Sequence, residues 1–264
     1  MNKVIRAEFG RTINAGLIIA IAGIIFSICF DSFNDLIAGL RNGQGYVGYF
    51  FSNAAFGGMC THYMLPVFTA FPFSVSLCQE RNNKAVSYIV SREGKNRYIF
   101  AKFIVSAISG GFVAVCGTVL LFLMLAMRFP IAGDEFEGAV VSDYFHEWSA
   151  VYYPQLYILT LSILAFCRGV IWSSLALCVS LYTSDFMVVL LSPFLGSYVL
   201  VRIFQIIRVP DMVRPDMILI GQVVIKSSGL TLLIAIAISL TIVTLIGAFF
   251  VGKMKEGLKS GTIY

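Results

Sequence analysis

The sequence predicts an all-α polytopic membrane protein with six transmembrane helices. Three observations carry this. First, 58% of the 264 residues are hydrophobic and only 12% are charged, against about 25% charged in soluble domains. Mean hydropathy is +0.87, and no soluble fold of this size hides so much apolar surface. Second, the apolar residues form six runs of a length that crosses a bilayer as a helix, at about 13–30, 50–77, 101–127, 154–182, 186–204 and 223–251. Third, Lys and Arg gather beside particular runs, as they do on the cytoplasmic face of membrane proteins. Residues 1–264 form one transmembrane domain, with no soluble domain, repeat or low-complexity tract.

Residues 1–12 come first. Val4, Ile5 and Phe9 share a face, with Lys3, Arg6 and Arg11 around it, which predicts a helix lying in the membrane interface. The basic start followed by an apolar run resembles a signal peptide, but several spans follow, so 13–30 is a retained first span ended by Asp31. Residues 31–49 are Gly-rich with one basic residue, Arg41, and predict an outside loop. Span two, 50–77, holds Pro66 and Pro72, which kink a helix, and many aromatics. In span three, Ser106 and Gly110, and Ala107 and Gly111, are small-x-x-x-small pairs suited to close helix contact. Residues 128–153 are acidic and poor in Lys and Arg, which suits an outside loop; EFEGAVVSDYFHEW there predicts a small helix.

Pro154 suits the first turn of span four, which contains Arg168. Thr183, Ser184 and Asp185 make a capping turn before span five. Residues 205–222 are broken by Pro210 and Pro215 and predict short helices at the outer face or dipping into it. Span six is followed by Lys253, Lys255 and Lys259. With both termini inside, the inner segments hold twelve Lys or Arg: three before span one, six in the central segment and three at the end. The net charge of +5 is thereby an orientation signal, and no nucleic-acid partner is needed to explain it. The six cysteines lie in or beside apolar runs without a C-x-x-C pair and predict free buried thiols.

The densest charge lies at 78–102, CQERNNKAVSYIVSREGKNRYIFAK, with six of the nineteen basic residues. From Gln79 to Ser91 there is no Gly or Pro, and Ala85, Val86, Ile89 and Val90 recur at helical spacing. That predicts one amphipathic helix, stopped by Gly94, on the cytoplasmic side between spans two and three.

These residues carry a resemblance. Glu80 at the end of a span, a short helix, the Gly94-x-x-Arg97 turn and Lys102 opening the next span resemble the cytoplasmic segment of ABC-2 type transporter permeases. One departure is Asn82-Asn83-Lys84, where many members have Gly-Thr. The resemblance spans essentially the whole chain. Among such permeases it looks similar to those beside peptide export or peptide immunity ATPases of Gram-positive bacteria. It implies a multi-pass permease of the bacterial cell membrane, paired with a second permease copy and served by a separate ATP-binding cassette ATPase. That ATPase would hold the ATP and magnesium, and this chain no cofactor. Glu80, Arg81, Lys84, Val86, Tyr88, Ile89, Arg92, Arg97 and Lys102 would couple to it. Spans two and five of the two copies would line the route of an exported amphipathic or hydrophobic substrate such as a peptide, and 205–222 would form an outer gate.

Other signals are sparser. Arg168 near mid-span is costly unless it faces protein, water or substrate. With His62, Tyr63 and Phe68 of span two it makes a candidate substrate pathway; each of these also suits ordinary helix packing. No second His accompanies His62 in a span, so no metal site is expected. GAFFVGKM at 247–254 nearly matches a P-loop, but Met254 replaces the required hydroxyl and the match ends a membrane helix. No nucleotide site or catalytic set is expected. The rival is a non-ATP-driven carrier or membrane assembly factor. Carriers often show broken midplane helices and intramembrane acids, and the predicted spans contain no Asp or Glu.

Overall fold

A computed structural model describes residues 2–42, 47, 50–51, 58–131, 148, 153–223, 225 and 227–260. Every regular element among them is helical: α1 Asn2–Thr12, α2 Ala15–Asp31, α3 Phe33–Asn42, α4 Met59–Ala70, α5 Ser76–Asn82, α6 Val86–Glu93, α7 Lys95–Ala126, α8 Pro154–Val179, α9 Phe186–Ile207, α10 Pro215–Ile220 and α11 Ser228–Ser260. Four of these, α7, α8, α9 and α11, are long and apolar enough to cross a bilayer; α1 and α2 together would make a fifth. The small helix expected within 135–148 lies, apart from Trp148, outside the described residues.

Several elements depart from expectation. The Gly-rich stretch after Asp31 holds a helix, α3, because Phe33, Leu36, Ile37 and Leu40 recur at helical spacing. The second apolar run is not one helix. Pro66 is accommodated inside α4, but the chain breaks at 71–75 around Pro72, which has no N–H to donate, and resumes as α5. The helix expected over 79–91 is likewise two. Asn82 and Asn83 favour a turn, Lys84 takes a left-handed conformation (φ 52°), and α6 starts at Val86. Gly94 ends α6 as expected, at φ +86°. At the other extreme, α7 and α11 outrun their apolar runs. With 32 and 33 residues they are about 50 Å long at 1.5 Å per residue, well beyond a hydrocarbon core of about 30 Å.

The bundle is organised on the α7–α8 pair. A Cβ on Gly169 would lie 2.5 Å from the Gly110 carbonyl oxygen, and one on Gly110 would lie 2.3 Å from the Ser173 Cβ. The two backbones therefore touch, as the small residues of span three predict, with Gly169 and Ser173 as the matching pair on α8. One turn away, the Ser74, Ser106 and Ser173 hydroxyls lie 3.1 Å from one another in the buried interior. Ser74 comes from the break after α4, so the break is tied to both central helices.

Around this pair, α8 also packs on α4, α9, α10 and α11, and α2 packs on α4 and α7. In their most apolar stretches 61% of α8 is buried against 28% of α9 and 11% of α11, so α9 and α11 form an outer wall. Helix α1 meets α2 at a 58° bend. The N-terminus of α4 is held by Asp31, whose carboxylate accepts the Cys60 and Thr61 amides at 2.9 and 2.6 Å. Phe250, Met254 and Leu258 of α11 pack with Val86, Ile89, Tyr98 and Leu177. The last turns of α11 thus lie at the same end as α6 and α1, called here the basic end.

The Gly169 contact is backbone against backbone, so it leaves no side chain to move aside. Gly169→Ala should cost about 1–3 kcal/mol through overpacking and lower the melting temperature of the purified protein. Gly252→Ala, where nothing lies within 4 Å, should leave it unchanged or raise it.

Candidate functional site

Two sites emerge, one at the basic end of the bundle and one around Arg168 at the middle of α8. At the basic end, the sequence places Glu80 after a span and Lys102 one helical segment later. The fold brings them together. Lys102 Nζ is fully buried and donates to Glu80 Oε1 at 2.7 Å and to Glu8 Oε2 at 3.2 Å. Arg11 donates to Glu80 Oε1 at 2.6 Å and to Glu8 Oε1 at 3.3 Å. Tyr98 donates its hydroxyl to Glu80 Oε2, and the Phe73 ring lies 4.9 Å from Lys102 Nζ. Two carboxylates thus face two cations in a neutral network joining α1, the break, α5 and α7. Burying any one of these charges alone would be expensive; paired and hydrogen-bonded, the four are tolerated.

Arg81 reaches elsewhere. Its guanidinium donates to the Ser180 and Leu181 carbonyls at 2.9 and 3.2 Å, at the C-terminus of α8, where unpaired carbonyls and the helix dipole favour a cation. Helix α6 is held between these anchors. Val86 and Ile89 point into the core, whereas Tyr88 is 67% exposed and Arg92 is exposed beside Glu93. Lys84 and Arg97, on either side of α6, are exposed. The nine residues expected to couple to a partner therefore divide. Lys84, Tyr88, Arg92 and Arg97 are presented outward. Glu80, Arg81, Val86, Ile89 and Lys102 fix the segment to the bundle.

Away from the basic end, at the middle of α8, Arg168 is 7% exposed and borders two adjoining cavities and a third, much smaller one. One, of about 180 Å³, is lined by His62, Tyr63, Gln205, Arg214 and Asp216; the other, of about 150 Å³, by His62, Ile171, Trp172, Leu200 and Asp216. The carboxylate of Asp216 is held by Arg214 in a two-pronged pair at 3.3 and 2.7 Å. Arg168 has no hydrogen bond or ion pair with another described residue. Of the expected pathway residues, His62, Tyr63 and Arg168 are brought together. Phe68 is not: its ring packs against Gly23 of α2, where a Cβ would come within 2.2 Å.

Three participants escaped the sequence reading. Glu8 carried a signal, being the sole acid before Asp31. Arg11 counted only as topological charge. Asp216 lies outside the predicted spans, yet α10 buries Ile218, Leu219 and Ile220 in the main core and brings the acid to Arg168. The stretch 205–222 thus holds the end of α9, a 3-10 turn at Asp211–Val213 and α10. The chain matches no family model, no curated protein and no solved structure.

Lys102→Met leaves two buried carboxylates with only a half-exposed arginine, so it should destabilise the protein by about 3–5 kcal/mol. Arg11→Met, removing a cation that is 53% exposed, should cost clearly less. Chemical denaturation of the two variants in parallel checks the order.

Proposed function

We propose that this chain is the membrane-spanning permease subunit of an ATP-driven exporter of the ABC-2 type. In this reading α6 is the helix on which a separate ATPase docks. One observation carries it: an amphipathic helix presents Tyr88 and Arg92 outward while its flanks are anchored to α1, α7 and α8. A bare loop would not need Glu80 to join a buried network or Arg81 to cap α8. A push on α6 has short, stiff routes into three helices.

The six-span topology belongs to the same proposal. The bent α1–α2 pair would be the first span and the broken α4–α5 pair the second, followed by α7, α8, α9 and α11. That α1 and the end of α11 share the basic end supports an even number of crossings. The Lys and Arg count supports that end being cytoplasmic, in a bacterial cell membrane. A second permease copy would complete the route, the lipid-exposed α9 and α11 leaving ample apolar surface for it. ATP and magnesium would be bound by the partner ATPase, with an amphipathic or hydrophobic molecule such as a peptide as the substrate.

A second reading, a carrier not driven by ATP, draws on a specific feature. The break at 71–75, and α10 bringing Asp216 beside Arg168, are the kind of irregular, charged construction that carriers use. The two readings differ at α6. Tyr88→Asp with Arg92→Glu changes only exposed side chains, so stability should stay within about 0.5 kcal/mol. Under the exporter reading the variant loses co-purification with an ATPase encoded beside it, and ATP-dependent transport falls at least ten-fold. Transport that persists unchanged without any ATPase supports the carrier.

A further inference from the structure

We propose that the cavity at Arg168 binds the anionic head of a single-chain amphiphile that enters from the bilayer. The inference concerns binding alone and does not depend on the ATPase partner.

Three observations lead there. The first is charge. Asp216 has both carboxylate oxygens occupied by Arg214, and Arg214 also reaches Asp211 at 3.2 Å. The Arg168 guanidinium, nine-tenths buried, has no hydrogen bond or ion pair with any described residue. It is a planar fork of donors facing open space, and such a fork takes a carboxylate or phosphate with two parallel hydrogen bonds.

The second is the shape of that space. The two cavities share His62, Arg168, Val201, Asp216 and Ile220, but their further walls differ. One continues past Gln205, Arg214 and Gln222, among Met59 and Met217, and is mixed in character. The other continues past Ile171, Trp172, Leu175 and Leu200 and is apolar. Arg168 stands where they meet, so a bound molecule would have a charged group at Arg168 and an apolar chain beside Trp172.

The third is access. The apolar lobe lies against α9 and α11, the outer wall, with Ile242 of α11 and Leu200 of α9 on its border. Leu200 is 37% exposed. A chain can therefore enter sideways between α9 and α11 and leave its distal part in the lipid. A free ion or a small hydrophilic anion would have no use for this lobe.

Trp172 makes the test direct, because the chain has two tryptophans and Trp148→Phe leaves only the one in the lobe. The protein is placed in phosphatidylcholine nanodiscs and titrated with 2-bromododecanoate, whose bromine quenches nearby indole fluorescence. Saturable quenching is expected. Unbrominated dodecanoate or dodecyl phosphate should displace the probe, and whichever does so at lower concentration identifies the preferred head. Dodecanol and dodecylamine should fail to displace it at ten-fold higher concentration. Arg168→Gln should raise the quenching midpoint about ten-fold or more, since a charge-assisted hydrogen bond is lost. Gly196→Leu should abolish saturable quenching with Arg168 intact, because a Cβ there already lies 3.2 Å from the Trp172 ring. Quenching that does not saturate, or that dodecanol displaces equally well, would mean partition into lipid only and overturn the proposal. So would an unchanged midpoint in Arg168→Gln. If that variant does not fold, an unchanged midpoint in Gly196→Leu overturns it alone.

Discussion

The structure depends most on burying Lys102 without leaving its charge alone. A fully buried ammonium is tolerable only with anions and donors arranged around it. Glu80 supplies one carboxylate from the end of the broken second run, and Glu8 supplies the other from α1. Those two requirements decide much else. Helix α1 cannot float as a free interfacial segment, because Glu8 must reach Lys102. The start of α7 cannot fray, because Lys102 and Tyr98 both hold Glu80. The break at 71–75 places Phe73 over the ammonium and lets α5 turn Glu80 inward. Helix α6 inherits its position from these constraints and from Arg81 at the end of α8.

The central helix contact makes the network mechanically relevant. Where Gly110 meets Gly169, α7 and α8 have no side chains between them, and the three-serine cluster beside them fastens the break to both. A displacement starting at α6 would therefore be carried by backbone contacts and short hydrogen bonds, with few flexible side chains in the path. Arg168 lies one residue from Gly169, on the helix that Arg81 caps. The two sites thus share one element, α8, although nothing in their chemistry resembles the other.

Much of the fold was legible in the sequence. The apolar runs marked the cores of the long helices, Gly94 marked a stop, and Ser106 and Gly110 marked the closest packing. What failed has physical reasons. Apolar composition marks where the hydrocarbon begins, not where a helix ends, so Lys95 and Ser260 fell outside predicted spans that their helices in fact include. Glycine content masked the spacing of Phe33, Leu36, Ile37 and Leu40. The turn that Asn82 and Asn83 favour, with Lys84 left-handed after it, was hidden by the helical spacing of Ala85, Val86, Ile89 and Val90 beside it. The sites were half legible for the same reason. Glu80, Lys102, Arg168 and His62 stand out by their chemistry, but Glu8 is 94 residues from its partner Lys102, and Asp216 comes to line the Arg168 cavities only through the fold.

A double-mutant cycle on Glu80 and Lys102 tests the central claim most directly. Unfolding free energies would be measured for the parent, Glu80→Gln, Lys102→Met and the double variant under one set of conditions. If the buried network holds the α6 segment to the bundle, each single change strands a charge that the double change removes. The coupling energy should then be at least about 2 kcal/mol, with the double variant more stable than Lys102→Met alone. Additive losses, within about 0.5 kcal/mol, would mean that the two side chains do not support one another, and would contradict the account.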